Sequence, residues 1–283
     1  MNQYLCSILN EYSTGEIIQM CKVINKDYNI YDPEDVRWSK LEYVFSKTTH
    51  SEIELLRKSC LSNSVVNDLI FTFYHCERVI KYFFIKQLKS RMDHIVAFEM
   101  SIGDSRVDIC RINGSSYAYE IKTEYDTFDR LETQMQDYLK TFEKVYVIVP
   151  HTRAENVRPH IPDSCGIISY RVNKDNEFVF SYAKRAQKNI CDITFCINSL
   201  SSSDMSYLLR LLKEKDFRTR AEKKDHLLEI AETTPIWKQY RQLLRHKYEN
   251  QWAFITEHFD EILPIDIQSF FSSNIDPSLL YTK

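Results

Sequence analysis

The sequence predicts an α/β protein, a mixed β-sheet core flanked by helices, with helical extensions at both ends. Three observations predict it. Between His94 and Ala183, short apolar or alternating runs of strand length recur, and one of them follows a helical pattern as a parallel strand does. Met1 to Asn63 and the chain beyond Ser199 instead carry helical patterns with polar breaks. Four glycines and seven prolines stand in 283 residues against 16 Phe and 18 Tyr, a composition of compact, helix-rich globules. The expected organisation is an N-terminal helical extension over residues 1–63, the sheet core over 64–198 and a helical C-terminal region over 199–283.

In chain order, helices are expected over Gln3–Tyr12, Thr14–Ile24, Asp32–Phe45 and His50–Cys60, the third opened by Asp32-Pro33-Glu34 because proline suits a first helical turn. Ser64–Leu88 reads as one long helix whose stripe runs through Val66, Leu69, Ile70, Phe73, Ile80, Phe83, Phe84 and Leu88. Glu77 interrupts that stripe. A carboxylate there needs a partner, either Lys81 at i+4 or a metal site. His94–Ile102 is expected as the first strand, with Glu99 where its apolar run turns polar, either near the metal shell or in solvent. A hairpin turn at Asn113-Gly114-Ser115 comes next, then a helix over Thr127–Phe142 capped by Asp126. Val145–Pro150 is a continuous apolar run, the mark of a buried parallel strand. A short helix over His151–His160 and strands over Cys165–Val172 and Glu177–Ala183 complete the core. Helices are then expected over Asp204–Lys215, Thr219–Glu232 and Pro235–Phe259, and Glu257–Asp276 is acidic and packs back or frays.

The stretch from Glu99 to Tyr138 carries the chemistry. Alternation within Tyr117–Lys122 puts Glu120 and Lys122 on one face, and the hairpin brings Asp108 beside Glu120. Two carboxylates and a backbone carbonyl, that of Ile121, are hard oxygen donors of the kind Mg²⁺ or Mn²⁺ takes. An ammonium beside them can orient a water or meet charge developing on a phosphate. On the following helix Arg130, Gln134 and Tyr138 align at i, i+4 and i+8, either a solvated face or one turned to the site. Arg106 alternates with Asp108 and pairs with it or with a phosphate.

Asp108 followed by Glu120-Ile121-Lys122 resembles the D…(D/E)-x-K signature of the PD-(D/E)XK nuclease superfamily, the restriction-endonuclease-like fold. The longer string RVD…YEIKTEYDTFDRLETQMQDY is similar to a small bacterial and phage branch of it, the "sce" type, with the pattern R-x-D…E-I-K-S/T-x-x-D-T-x-x-R-L. The resemblance covers roughly Cys76 to Arg185, with Val107 where the superfamily's name has proline. It implies a metal-dependent nuclease, with DNA as the expected substrate, in a phage, mobile-element or defence setting. The implied catalytic residues are Asp108, Glu120 and Lys122, supported by Gln134 and Tyr138 through a Q-x-x-x-Y element. Implied metal ligands are Asp108, Glu120 and Ile121, with Glu77 and Glu99 beside them, and the implied nucleic-acid contacts are Arg106, Arg130 and Lys122. A second E-x-K, Glu222-Lys223-Lys224, has a charged middle residue inside a helical pattern and fails the context test.

A net charge of −3 does not advertise a polyanion binder, so any nucleic-acid face is local. A modest Lys/Arg excess between Arg210 and Lys247, near Trp237 and Tyr240, is either a backbone-contacting patch or a solvated face. Eight cysteines without C-x-x-C spacing point to reduced core thiols in a cytoplasm, not to disulfides or zinc. His151 and His160 lack a partner motif and read as surface histidines. No run reaches membrane-spanning length, and no membrane partner is expected. Two other classes stay open: a catalytically silent nucleic-acid-binding module on the same fold, and a protein-interaction module acting through the helical flanks.

Overall fold

The computed structural model describes residues 1–89, 94–174 and 176–282. It is mixed α/β, with helical N- and C-terminal regions and a six-stranded sheet. The chain forms two compact units, Met1–Gln87 with Phe254–Lys283, and Leu88–Ala253. These limits differ from the expected ones after Asn63 and Asn198.

The first unit opens with α1 (Gln3–Leu9), α2 (Thr14–Asp27), α3 (Glu34–Val44) and α4 (His50–Ser59). Short polar side chains start α1, α2 and α4, at Asn2, Ser13 and Thr49, while Pro33 precedes α3 without a side-chain cap. Ser13 with Glu16 and Thr49 with Glu52 form capping boxes, satisfying amide groups that a helix start leaves bare. Apolar positions such as Leu5, Trp38, Leu41, Phe45 and Leu56 make the core. Glu34 ties α3 to Ser62. Its carboxylate accepts from Trp38 Nε1 at 2.7 Å, Arg37 Nη2 at 2.7 Å and Ser62 N at 2.8 Å.

The single helix expected over Ser64–Leu88 is two, α5 (Ser62–Phe73) and α6 (Glu77–Lys89). No glycine or proline marks the break at residues 74–76. Tertiary packing makes it: the chain turns at Tyr74 so that Phe71 meets Tyr82 at 5.5 Å and Phe83 at 6.0 Å, contacts a straight rod would forbid. Glu77 thereby moves from mid-helix to the first turn of α6, where a carboxylate suits the helix dipole.

The second unit carries β1 (Ile95–Ile102), β2 (Ser105–Ile112), β3 (Ser116–Ile121), α7 (Leu131–Thr141), β4 (Lys144–Pro150), β5 (Gly166–Val172) and β6 (Phe178–Lys184). Strand order follows sequence order. The pairs β1/β2, β2/β3 and β5/β6 are antiparallel, and β3/β4 and β4/β5 parallel, so the hairpin-then-crossover order expected from the sequence is the one formed. Two corrections concern loops. Helix α7 begins at Leu131, not Thr127, because Asp126 accepts from Thr123 N at 2.6 Å and Thr123 Oγ1 at 2.7 Å and so closes a loop turn instead of capping the helix. The helix expected over His151–His160 is two short 3₁₀ turns, His151–Arg153 and Arg158–His160.

Beyond the sheet come α8 (Ile193–Ser199), α9 (Ser202–Leu212), α10 (Arg220–Thr233) and α11 (Trp237–Glu257). Helix α8 is too short for its periodicity to register in the sequence. Glu222, part of the rejected second E-x-K, forms a capping box with Thr219 at the start of α10. The acidic C-terminal stretch does pack back: α12 (Ile267–Ser273) and α13 (Pro277–Leu280) belong to the first unit, where Asp266 is fully buried.

Candidate active site

The residues of the E-x-K segment meet at the ends of β2 and β3 against α7. Register pairs Ile109 with Tyr119, which sets Asp108 and Glu120 on the same face of neighbouring strands. Asp108 is buried, and its Oδ2 accepts from Ile121 N at 2.6 Å, clamping the carboxylate to the strand that carries Glu120. Ile121 ends β3 opposite Ile148, and Lys122 N continues that pairing to Ile148 O at 2.9 Å.

Glu120 is 2% exposed, so its charge needs compensation. Its Oε1 accepts from Lys122 Nζ at 2.7 Å, and its Oε2 lies 2.7 Å from the Tyr138 hydroxyl. That hydroxyl also stands 2.7 Å from the Arg106 carbonyl oxygen. Burial, then the Glu120 charge, pushes the Tyr138 phenol far above its ordinary value, so it stays a protonated donor. Lys122 donates as well to Gln134 Oε1 at 3.0 Å. Gln134 and Tyr138, one turn apart on α7, thus hold the lysine and the glutamate respectively.

Glu99 adds a feature that alternation does not reveal. Its neighbours Phe98 and Met100 pair with Ile109 and Val107, so Glu99 stands across from Asp108, yet its φ is +54°. A non-glycine residue in that region is strained and persists where its surroundings impose it. Glu99 and Asp108 each bring a carboxylate oxygen within 4.8 Å of the other, and Arg106 Nε lies 2.6 Å from Glu99 Oε2. Arg106 therefore pairs with Glu99; its side chain is otherwise mostly exposed.

Arg130 falls outside this cluster. It is the exposed residue just before α7, with its backbone carbonyl taken by Gln134 N. Glu77 is carried by the first unit, where Lys81 Nζ reaches it at 2.9 Å and also reaches Gln268 at 2.8 Å, so the i+4 pairing forms. Sequence reasoning missed Arg153, whose guanidinium donates to the Thr123 carbonyl and to the Asp126 carbonyl at 2.8 Å, fastening the loop after Lys122. It lies 30 positions beyond Thr123 in a 3₁₀ turn, and no local pattern announces it.

Carboxylates at Asp108, Glu99 and Glu120 beside the Ile121 carbonyl are oxygen ligands of the type Mg²⁺ and Mn²⁺ take. Two carboxylate oxygens as close as those of Glu99 and Asp108 repel unless positive charge lies near, and Arg106 supplies part of it.

The family of bacteriophage P4 protein cII matches residues 74–270. Protein cII of Enterobacteria phage P4 is 28% identical over 71 residues, 25% of this chain and 27% of the phage protein's own length. The chain thus spans about a quarter of that curated relative. A solved structure, a protein of unknown function from Silicibacter pomeroyi, aligns with 35% of this chain and 64% of its own at 14% identity and a TM-score of 0.28, too low a likeness to build on.

Proposed function

The chain belongs to the family of bacteriophage P4 protein cII, and within a phage or mobile-element setting we propose that it is a metal-dependent nuclease of the PD-(D/E)XK kind, hydrolysing phosphodiester bonds in DNA. The observation that carries this reading is the Lys122 ammonium, held 2.7 Å from Glu120 and 3.0 Å from Gln134 on the strand to which Asp108 is clamped.

In this reading Asp108, Glu120 and the Ile121 carbonyl hold Mg²⁺ or Mn²⁺, with Glu99 beside them. When bound, such an ion polarises a phosphoryl oxygen and acidifies a coordinated water. Lys122 orients the attacking water and meets the negative charge developing on the phosphate. Gln134 keeps the ammonium aimed. Tyr138, a permanent donor, keeps the Glu120 carboxylate from rotating away. Arg106, exposed beside Glu99, offers positive charge to an incoming phosphate backbone, whereas Arg130 stays outside the cluster and has no role in this reading.

A second reading, a nucleic-acid-binding module without catalysis, draws on one observation. Both Glu120 oxygens already have protein partners, Lys122 and Tyr138, so that part of the network closes without an ion. A cleavage panel over linear, circular, single-stranded and RNA substrates, with Mg²⁺, Mn²⁺ and EDTA, separates the two. The nuclease reading expects metal-dependent cleavage by the wild type and a loss of about 10²-fold or more in Asp108→Ala and in Lys122→Ala. Unchanged cleavage in either variant overturns the assignment, and a wild type inert under every condition leaves the binding module.

A further inference from the structure

The sheet face turned away from Asp108 and Glu120 carries a second organised set of side chains. Alternation puts Arg111 on that face with Tyr117 and Tyr119. Register aligns Arg111 with Tyr117 and Tyr117 with Lys144, so a cation, a ring and a cation stand abreast on β2, β3 and β4. The Arg111 guanidinium lies 3.9 Å from the Tyr117 ring centroid, and Lys144 Nζ lies 5.6 Å from it. The rings continue across the sheet. Tyr119 stacks on Tyr146 at 5.7 Å, Tyr146 meets Tyr182 of β6 at 5.6 Å, and the Arg185 guanidinium sits 5.0 Å over Tyr182. Gly166 makes this continuity possible, since a Cβ there would collide with the Tyr146 ring.

Charge and exposure set this strip apart from an ordinary core. Arg111, Lys144 and Arg185 have no carboxylate within ion-pairing distance and no side-chain hydrogen bond among the described residues. The acid next in sequence, Glu143, is spent on Ser116, Lys188 and Arg241. Arg111 is only 5% exposed, and its Nε is buried without a partner. A guanidinium so far from water is costly, and stacking on a ring returns part of that cost, not all. At the other end Tyr182 is 51% exposed, a large ring face offered to solvent beside a cation.

We propose that the accessible part of this strip binds single-stranded nucleic acid, with phosphates meeting Lys144 and Arg185, a base stacking on Tyr182, and the buried Arg111 adding positive charge from beneath. Cations that lack acids suit a polyanion, and an exposed ring among them suits a π-face that comes with the phosphates. Duplex hides its base faces within the stack, and an acidic peptide leaves the ring idle. The surface lies on the opposite side of the sheet from the proposed hydrolytic cluster and does not depend on it.

The test is fluorescence anisotropy of the full chain with a labelled single-stranded oligonucleotide, longer than the roughly 4–16 nucleotides such grooves take. EDTA is present throughout, so cleavage does not enter, and a failed cleavage assay and a failed binding assay are separate results. Tyr182→Ala is expected to weaken binding about tenfold. Lys144→Ala with Arg185→Ala is expected to flatten the slope of log K against log salt by about 1.4, or ~0.7 for each phosphate that is no longer neutralised. All three positions are exposed or half-exposed, and circular dichroism with thermal melting confirms that the variants fold. The proposal is overturned if the wild type does not bind, if these variants bind as it does, or if duplex of the same sequence binds as tightly. Displacement of the oligonucleotide by poly-glutamate at equal charge overturns it as well.

Discussion

Glu99 sets two demands against each other at a single residue. Its side chain stands across from Asp108, and its backbone is held at a φ of +54°, a region that costs an L-residue about 1–2 kcal/mol. Replacing it by Gly or by Ala removes the same carboxylate and the same link to Arg106, so the loss of that ion pair is common to both variants. The two variants differ only in what the backbone tolerates. Glu99→Gly is therefore expected to be more stable than Glu99→Ala by about 1 kcal/mol in urea unfolding, while on the proposed nuclease reading both variants lose cleavage to the same degree. An alanine variant equal to or more stable than the glycine one shows that the strain is not there. At this scale the sequence was informative where chemistry is local. Period-two alternation put Glu120 and Lys122 on one face, and helical spacing aligned Gln134 with Tyr138. It singled out Glu99 but said nothing of its backbone, because φ at one residue follows from what the neighbouring strand demands.

Whole elements can turn on one buried group. Asp266, at the start of α12, is fully buried; its carboxyl is raised from 3.8 to about 6, burial being the main cause, with the nearby hydroxyls of Tyr28 and Tyr281 and the charges of Arg78 and Arg37 opposing it. A folded pKa above the unfolded one means that the folded state holds this proton more tightly. The stability it contributes is complete below about pH 4 and is lost as pH rises through about 6. Two pKa units correspond to roughly 3 kcal/mol at most. Asp266→Asn keeps an acceptor and removes the titration. Its melting temperature is expected to gain on the wild type as pH rises from about 4 to about 6. A difference that stays flat with pH sinks the assignment. The break between α5 and α6 belongs to the same scale. The apolar stripe on either side of Tyr74, His75 and Cys76 keeps one helical spacing, interrupted only by Glu77, and the packing of Phe71 on Tyr82 and Phe83 bends the chain there.

At the scale of the whole molecule, a ligand that binds only the folded state stabilises it by mass action, about 2.7 kcal/mol at a hundredfold excess over Kd. If Asp108 holds a divalent ion, Mg²⁺ or Mn²⁺ raises the melting temperature of the wild type by several degrees and leaves that of Asp108→Asn unmoved; equal shifts in both place the ion elsewhere. Among the described residues no helix is long and apolar enough to cross a membrane, as the hydropathy of the chain led one to expect. None of the eight cysteines forms a disulfide, and burial pushes several thiols up, Cys21 to about 12, as suits core residues and not nucleophiles. By itself the sequence located the six strand segments along the chain, the starts of most helices and the closeness of Asp108, Glu120 and Lys122, because alternation, capping and turn chemistry act over a few neighbouring positions. Only the tertiary structure decided that Glu120 is gripped from both sides, that Glu99 faces Asp108, that the C-terminal stretch joins the N-terminal helices, and that Arg111, Tyr117 and Lys144 form one row. Each of those depends on which distant segments lie side by side, and strand register and helix packing settle that through contacts that no single stretch of chain contains.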